Sequence, residues 1–255
     1  MLRDLYPQVL HSLSVNCSID LQSMQTLINW SGGKDSALAL YRIQQQGQST
    51  VTQLLTTING AYGRVSMHGV REELIQAQAD RLGLPLTTVR LPETASMALY
   101  QTTMNDALRL LIENGIEQAV FGDIFLEDLR QWREEQLASV GLTGVFPLWQ
   151  TDSMTLLHEF WAAGFQTIVV AVNGQQLDKS FCGRVLDQQF VADLPAGVDP
   201  CGENGEFHTF VFNAPYFSSP VSFTLGDVVE RTYTFTDADK QERTSTYYFA
   251  DLLPS

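Results

Sequence analysis

Apolar residues recur along this chain in short, nearly continuous runs rather than in strict alternation. Leu27, Ile28 and Trp30 make the first, and residues 51–58, 86–91, 118–121, 144–147 and 167–172 follow. Runs of this kind suit strands buried on both faces. Between them lie helical stretches with stop signals. Residues 72–82 end at Gly83 and Pro85, 95–113 at Asn114 and Gly115, and 129–140 at Gly141. Strand and helix alternating in this way predict a doubly wound, mostly parallel α/β sheet.

Past Asn173 and Gly174 the alternation stops. Residues 177–194 read as helical or irregular and 207–212 alternate. Residues 228–235 and 244–249 predict a hairpin about the polar turn Asp237, Ala238, Asp239, Lys240. The expected organisation is an N-terminal arm over residues 1–23, a main domain over 24–174 and a smaller strand-containing subdomain over 175–255.

The first predicted strand runs into Ser31-Gly32-Gly33-Lys34-Asp35-Ser36, and the helix-forming residues 37–41 follow. Two adjacent glycines let the backbone turn without a Cβ penalty, so N–H groups at the helix start can converge on an anion. Ser31 and Ser36 add hydroxyls and Lys34 a point charge. The spacing differs from GxxxxGK[ST], in which four residues separate the glycine from the glycine-lysine pair.

The chain has 255 residues, 44% of them apolar and 10% aromatic, as in an ordinary globular protein. No run is long enough to span a membrane, and the N-terminus has neither the apolar core nor the cleavage site of a signal peptide, so a cytoplasmic location is expected. Cys17, Cys182 and Cys201 lie far apart without a CxxC pair, which suggests neither a disulfide framework nor a structural zinc site. A net charge of -14, from 29 acidic against 15 basic residues, disfavours nucleic acid as a partner. A homo-oligomer is left open.

Three further stretches carry candidate chemistry. His68 and Arg71 stand in a strand-to-helix loop on the expected ligand side. Asp123 follows a glycine at the end of a central strand, where a carboxylate can hold Mg²⁺ or a substrate amine. Residues 197–211, GVDPCGENGEFHTFV, pack Asp199, Glu203, Asn204, Glu206 and His208 around glycines and a proline. Carboxylates there can hold a metal or an ammonium, and His208 can shuttle a proton. Cys201 reads as a packed small residue.

SGGKDS at one end and DPCGENGEFHTF at the other resemble the diphthine ammonia ligase family of PP-loop, or N-type, ATP pyrophosphatases. The segments MHGVREELIQAQADRLGLPL, FGDIFLEDLRQWREEQLASVGLTGVFPLW and LDKSFCGRVLD extend the likeness over residues 24–217. The resemblance implies an adenine nucleotide alpha hydrolase-like fold and an adenylation. A carboxylate attacks the α phosphate of ATP, pyrophosphate leaves, and ammonia displaces AMP to give an amide. It implies that Ser31, Gly32, Gly33, Lys34, Asp35 and Ser36 hold the pyrophosphate. Mg²⁺, on Asp35 and Asp123, would offset phosphate charge. His68, Arg71, Asp199, Glu203, Asn204 and Glu206 would bind the acceptor or ammonia. Catalytic roles fall to Lys34, Asp123, Glu206 and His208. The acceptor would be a carboxylic acid on a protein or a small molecule. Competing readings are a PP-loop ATPase acting on another small molecule or on RNA, as in tRNA sulfur transfer, and a module that senses nucleotide without turnover.

Overall fold

A computed structural model describes residues 24–236 and 241–255. The expected arm over 1–23, Cys17 and the turn 237–240 lie outside the described residues. The larger sheet is built on β1 (Met24–Asn29), which leads into α1 (Lys34–Gln46) and β2 (Ser49–Asn59). There follow β3 (Arg64–Val65), α2 (Glu72–Leu82), β4 (Leu86–Leu91), α3 (Met97–Glu113), β5 (Gln118–Val120), α4 (Glu127–Val140) and β6 (Thr143–Val145). β2 pairs β4 and β1, β1 pairs β5, and β5 pairs β6, all in parallel. The chain therefore winds outward from β1 through β2 to β4, then crosses back to β5. The point where it reverses lies between β1 and β5, and their carboxyl ends open there toward a ligand.

The short β3 runs antiparallel to the end of β2, through Ile58 with Val65 and Asn59 with Arg64. Because β4 holds the other edge of β2 there, β3 lies beyond the end of β1 and brings its loop back over the turn that follows β1.

The second sheet is formed by β7 (Gln166–Asn173), β8 (Phe207–Asn213), β9 (Phe223–Thr236) and β10 (Glu242–Pro254), in the order β8-β7-β10-β9. All of its pairings are antiparallel. This corrects the expectation for residues 167–172, which do not continue the parallel sheet. A fully buried antiparallel strand has the same unbroken apolar run as a parallel one, and β7 is buried from Thr167 to Val172. The expected boundary at 174 falls just after β7, whereas the strand partners of β7 all come later in the chain. Residues 177–194 contain a 3₁₀ turn at Lys179–Phe181 and α6 (Gln188–Ala192). α5 (Ser153–Ala162) joins the two sheets.

One apolar core runs through both sheets. It joins Ile28, Trp30, Leu40 and Leu74 to Val169, Phe210, Val211 and Leu252. A second cluster, with Leu27, Leu55, Leu108, Phe121 and Leu137, fills the other face of the large sheet beneath α3 and α4. Among the described residues, no helix is long and apolar enough to cross a membrane.

Candidate nucleotide site

The turn after β1 is held by β8. Gly32 has a left-handed backbone, φ +78°, and a Cβ there would come within 2.5 Å of Ile75 and 2.6 Å of the Gln78 amide. No side chain fits. The Val211 N–H donates to the Gly32 carbonyl at 2.8 Å. Gln78, fully buried, accepts from the Trp30 indole at 2.8 Å and donates to the carbonyls of Gly32 at 3.0 Å and Val211 at 2.6 Å. Gly33 stands at the N-cap of α1 without a side-chain acceptor of its own, and the Thr209 hydroxyl accepts the Lys34 N–H from across the junction at 3.0 Å. The first turn of α1 is thus presented with its positive dipole end toward the switch point.

A cavity of about 370 Å³ opens in front of this turn. Ser31, Asp35 and Ser36 line it from the turn, His68 from the loop after β3, Asp123 and Gly122 from the end of β5, Arg133 from α4 and Glu203 from the acidic loop. Four stretches far apart in sequence therefore meet at one hollow. A Cβ at Gly122 would come within 2.7 Å of the Asp35 backbone, so β5 approaches α1 closely only because that residue is glycine.

The charged groups are matched in pairs. The Lys34 ammonium is 4% exposed, donates to both Asp35 carboxylate oxygens at 2.8 Å and lies 5.7 Å from the centre of the Phe207 ring. Burial by itself would lower its pKa. The Asp35 carboxylate outweighs that, and Lys34 is held above its ordinary value as a permanent cation. Asp123 faces Arg133 at 2.7 Å, and burial nonetheless pushes its carboxyl upward. Glu203 reaches across from the acidic loop to accept the Ile124 N–H at 2.7 Å. Burial, with the Asp35 charge adding to it, pushes the Glu203 carboxyl up to about 7.

The rest of the acidic loop is built around its own carboxylates. Asp199 accepts the Ser153 hydroxyl at 2.6 Å and the N–H groups of Cys201 at 3.1 Å and Glu203 at 2.9 Å. Glu206, 2% exposed, accepts the Asp199 N–H at 3.0 Å and the Asn204 amide at 3.1 Å through one oxygen, and its other oxygen is buried without a partner. Asp199, Asn204 and Glu206 therefore shape the loop that presents Glu203. Burial pushes the Cys201 thiol up to about 12, which leaves it inert at neutral pH.

His68 and His208 stack with ring centres 4.6 Å apart. His68 Nδ1 lies 3.1 Å from the Thr209 carbonyl, so that nitrogen carries the proton. Burial lowers His68 to about 4 and holds His208 well below its ordinary value, so both rings are neutral at pH 7. His208 Nε2 is buried with no partner. Arg71 does not line the cavity. Its guanidinium is spent on Asp251 of β10, at 2.7 Å.

Sequence reasoning placed none of Arg133, Gln78, Thr209 and Asp251 at the site. Thr209 was within reach, since it lies in the same GEFHTF stretch. Among the described residues no group of three or more His, Cys, Asp and Glu is placed to hold a metal by itself. Asp35 and Asp123 offer two hard oxygen donors on the cavity wall, which suits Mg²⁺ when phosphate oxygens and waters complete its shell.

A glycine turn at the switch point of a parallel sheet, with a second antiparallel sheet closing over it, defines a PP-loop α/β protein. The family model of the diphthamide synthase N-terminal domain matches residues 24–144, and that of the C-terminal domain matches 152–238. The chain belongs to this family. Similar proteins include the diphthine-ammonia ligase of Schizosaccharomyces pombe, 26% identical over 222 residues that make up 79% of this chain and 36% of the yeast protein. Those of Bos taurus and Homo sapiens are each 26% identical over 222 residues, 78% of this chain and 82% of theirs. The chain thus spans about a third of the yeast relative and about four fifths of the mammalian ones.

Proposed function

We propose that this protein is an ATP-dependent amide-forming ligase. The observation that carries the reading is the single cavity shared by the turn at residues 31–36, the Asp123 and Arg133 pair, and Glu203 of the acidic loop. A phosphate cradle alone would serve any nucleotide-binding protein. A carboxyl held near neutrality beside it supplies what amidation needs, a proton acceptor for an incoming amine.

In the proposed sequence, an oxygen of the acceptor carboxylate attacks the α phosphorus and the bond to the bridging oxygen breaks. Pyrophosphate leaves with that electron pair and stays against Ser31, Ser36 and the N-terminus of α1. Arg133, on the cavity wall, offsets the charge of the phosphates, while Lys34 behind the turn holds Asp35 in place. Ammonia then attacks the carbonyl carbon, the bond to the AMP oxygen breaks, and the nitrogen gives up a proton to Glu203. His208 backs the His68 ring behind the cavity wall, and Glu206 keeps Glu203 in place through the loop. Mg²⁺, held by Asp35 and Asp123, would neutralise phosphate oxygens when bound.

The acceptor is a carboxylic acid on a protein or a small molecule, with diphthine suggested by the names of the relatives. A cytoplasmic setting supplies both ATP and ammonium. The test is to incubate the protein with ATP, Mg²⁺, ammonium and pooled cell extract, and to identify the nucleotide products and any amidated species by mass. AMP and pyrophosphate with a new amide are expected. ADP and phosphate, or bound nucleotide without turnover, would defeat the reading.

A further inference from the structure

The loop that carries His68 is strained, and β10 of the second sheet holds it in that state. Met67 has φ +66°, and the His68 N–H closes on the Ser66 carbonyl two residues back at 2.8 Å, which makes a γ-turn of the strained kind. The Met67 side chain is 66% exposed and supplies no packing to compensate. The restraint comes from elsewhere. Arg64 donates to the Gly69 carbonyl at 2.8 Å and to Asp251 at 2.8 Å, and Arg71 grips both oxygens of Asp251 at 3.0 and 2.7 Å. Gly69, at φ +70°, has the Phe249 ring 2.7 Å from where a Cβ would stand. Without Asp251 the guanidinium groups of Arg64 and Arg71 would repel each other across the base of the loop.

What this restraint fixes is the imidazole of His68. Its Cε1 lies 2.9 Å from where a Cβ on Gly33 would stand, so the ring covers the glycine turn directly. Its Nδ1–H is tied to the Thr209 carbonyl and its face to the His208 ring. Lys34 is the nearby cation. We propose that Asp251 is a positioning residue for the candidate site: with Arg64 and Arg71 it clasps the strained turn that seats His68 on the phosphate-binding loop. A residue of β10, in the sheet that does not carry the turn, would then set the geometry of that turn.

The test uses the full chain labelled with ¹⁵N-histidine, with His68 assigned by His68→Gln, and compares the parent with Asp251→Asn and Asp251→Glu. In the parent, His68 should show the Nδ1–H tautomer and titrate near 4. In Asp251→Asn the ring should lose the single tautomer and titrate at least one unit higher, because solvent now reaches it. Affinity for a nonhydrolysable ATP analogue should drop about tenfold, and Asp251→Glu should restore part of both. If Asp251→Asn does not fold, Arg71→Lys, which keeps the charge and loses the two-pronged grip, should give the same shifts in weaker form. Glu72→Gln, which breaks the exposed Arg90 pair at the start of the same helix, should move neither readout. The proposal is overturned if the asparagine variant keeps the parent tautomer and titration, or if Glu72→Gln shifts them equally. The nucleotide readout rests on the ligase reading, whereas the imidazole readout needs no ligand and stands or falls separately.

Discussion

At the scale of single residues, Lys34 and Glu203 show how burial changes what a charge does. A lysine in a glycine turn reads from sequence as a free cation waiting for phosphate. In the fold its ammonium is 4% exposed and already satisfied by Asp35. Lys34→Ala therefore does more than remove a phosphate contact, since it strands the Asp35 carboxylate among Asp123 and Glu203. The loss should be about 1–2 kcal/mol, less than for a fully buried pair because Asp35 is one third open to solvent. Lys34→Ala with Asp35→Asn should regain part of it, as a thermal melt of both variants would show. Glu203 works with the opposite sign. Its folded pKa of about 7 exceeds its ordinary 4.5, so the folded state binds the extra proton between those values and stability falls as pH rises through that window. Glu203→Gln should accordingly stabilise the protein above pH 7, by on the order of 1–2 kcal/mol after allowing for its partial exposure, and change nothing below pH 4. The same variant should slow amide formation at neutral pH. A melting temperature that falls at pH 8 would contradict this account of the site.

At the scale of elements, much of the architecture was readable because strand runs and glycine stops are local signals. α2 and β4 occupy the residues their stop signals predict, and α3 and α4 begin within two residues of the expected starts. α5 was missed, although Asp152 caps it by accepting the Thr155 N–H at 2.9 Å, because the ten residues of the helix are too few to establish a period. β7 was given to the wrong sheet because its burial hides its direction. No local pattern announces that β8 will dock on the turn after β1, since the bonds concerned join residues about 175 positions apart. Where one element must approach another, a glycine does leave a trace. Gly122 after β5 is such a place, and the group that a Cβ would strike is the Asp35 backbone, which cannot turn aside as a side chain could. Gly122→Ala should cost about 2 kcal/mol through overpacking and weaken nucleotide binding, because α1 can only move away from the cavity. Calorimetry with an ATP analogue would check both effects on one sample.

At the scale of the whole molecule, the site lies at the junction of two sheets rather than within either. The residue types were visible in SGGKDS and GENGEFHTF. Their convergence on one cavity was not, because it depends on the route of the chain through α5 and β7 before β8 returns. That junction is cemented by Gln78, whose amide uses one acceptor and two donors on Trp30, Gly32 and Val211 in a fully buried position. With the core continuous through both sheets, the two halves should unfold together, giving coincident transitions in tryptophan fluorescence and far-ultraviolet circular dichroism. Gln78→Leu keeps the volume and apolar packing but strands the Trp30 indole N–H and takes one donor from each of two carbonyls, of which Gly32 still accepts the Val211 N–H. The indole and the Val211 carbonyl are each expected to cost about 1 kcal/mol, so the midpoint in urea should move by the equivalent of about 2 kcal/mol. The turn keeps its direct bonds to Val211 and Thr209 of β8 but loses the brace that Gln78 adds, so nucleotide affinity should fall alongside stability. Two separated transitions in the parent, or a Gln78→Leu variant with the parent midpoint, would show that the sheets fold independently and that the junction is not what holds the turn in shape.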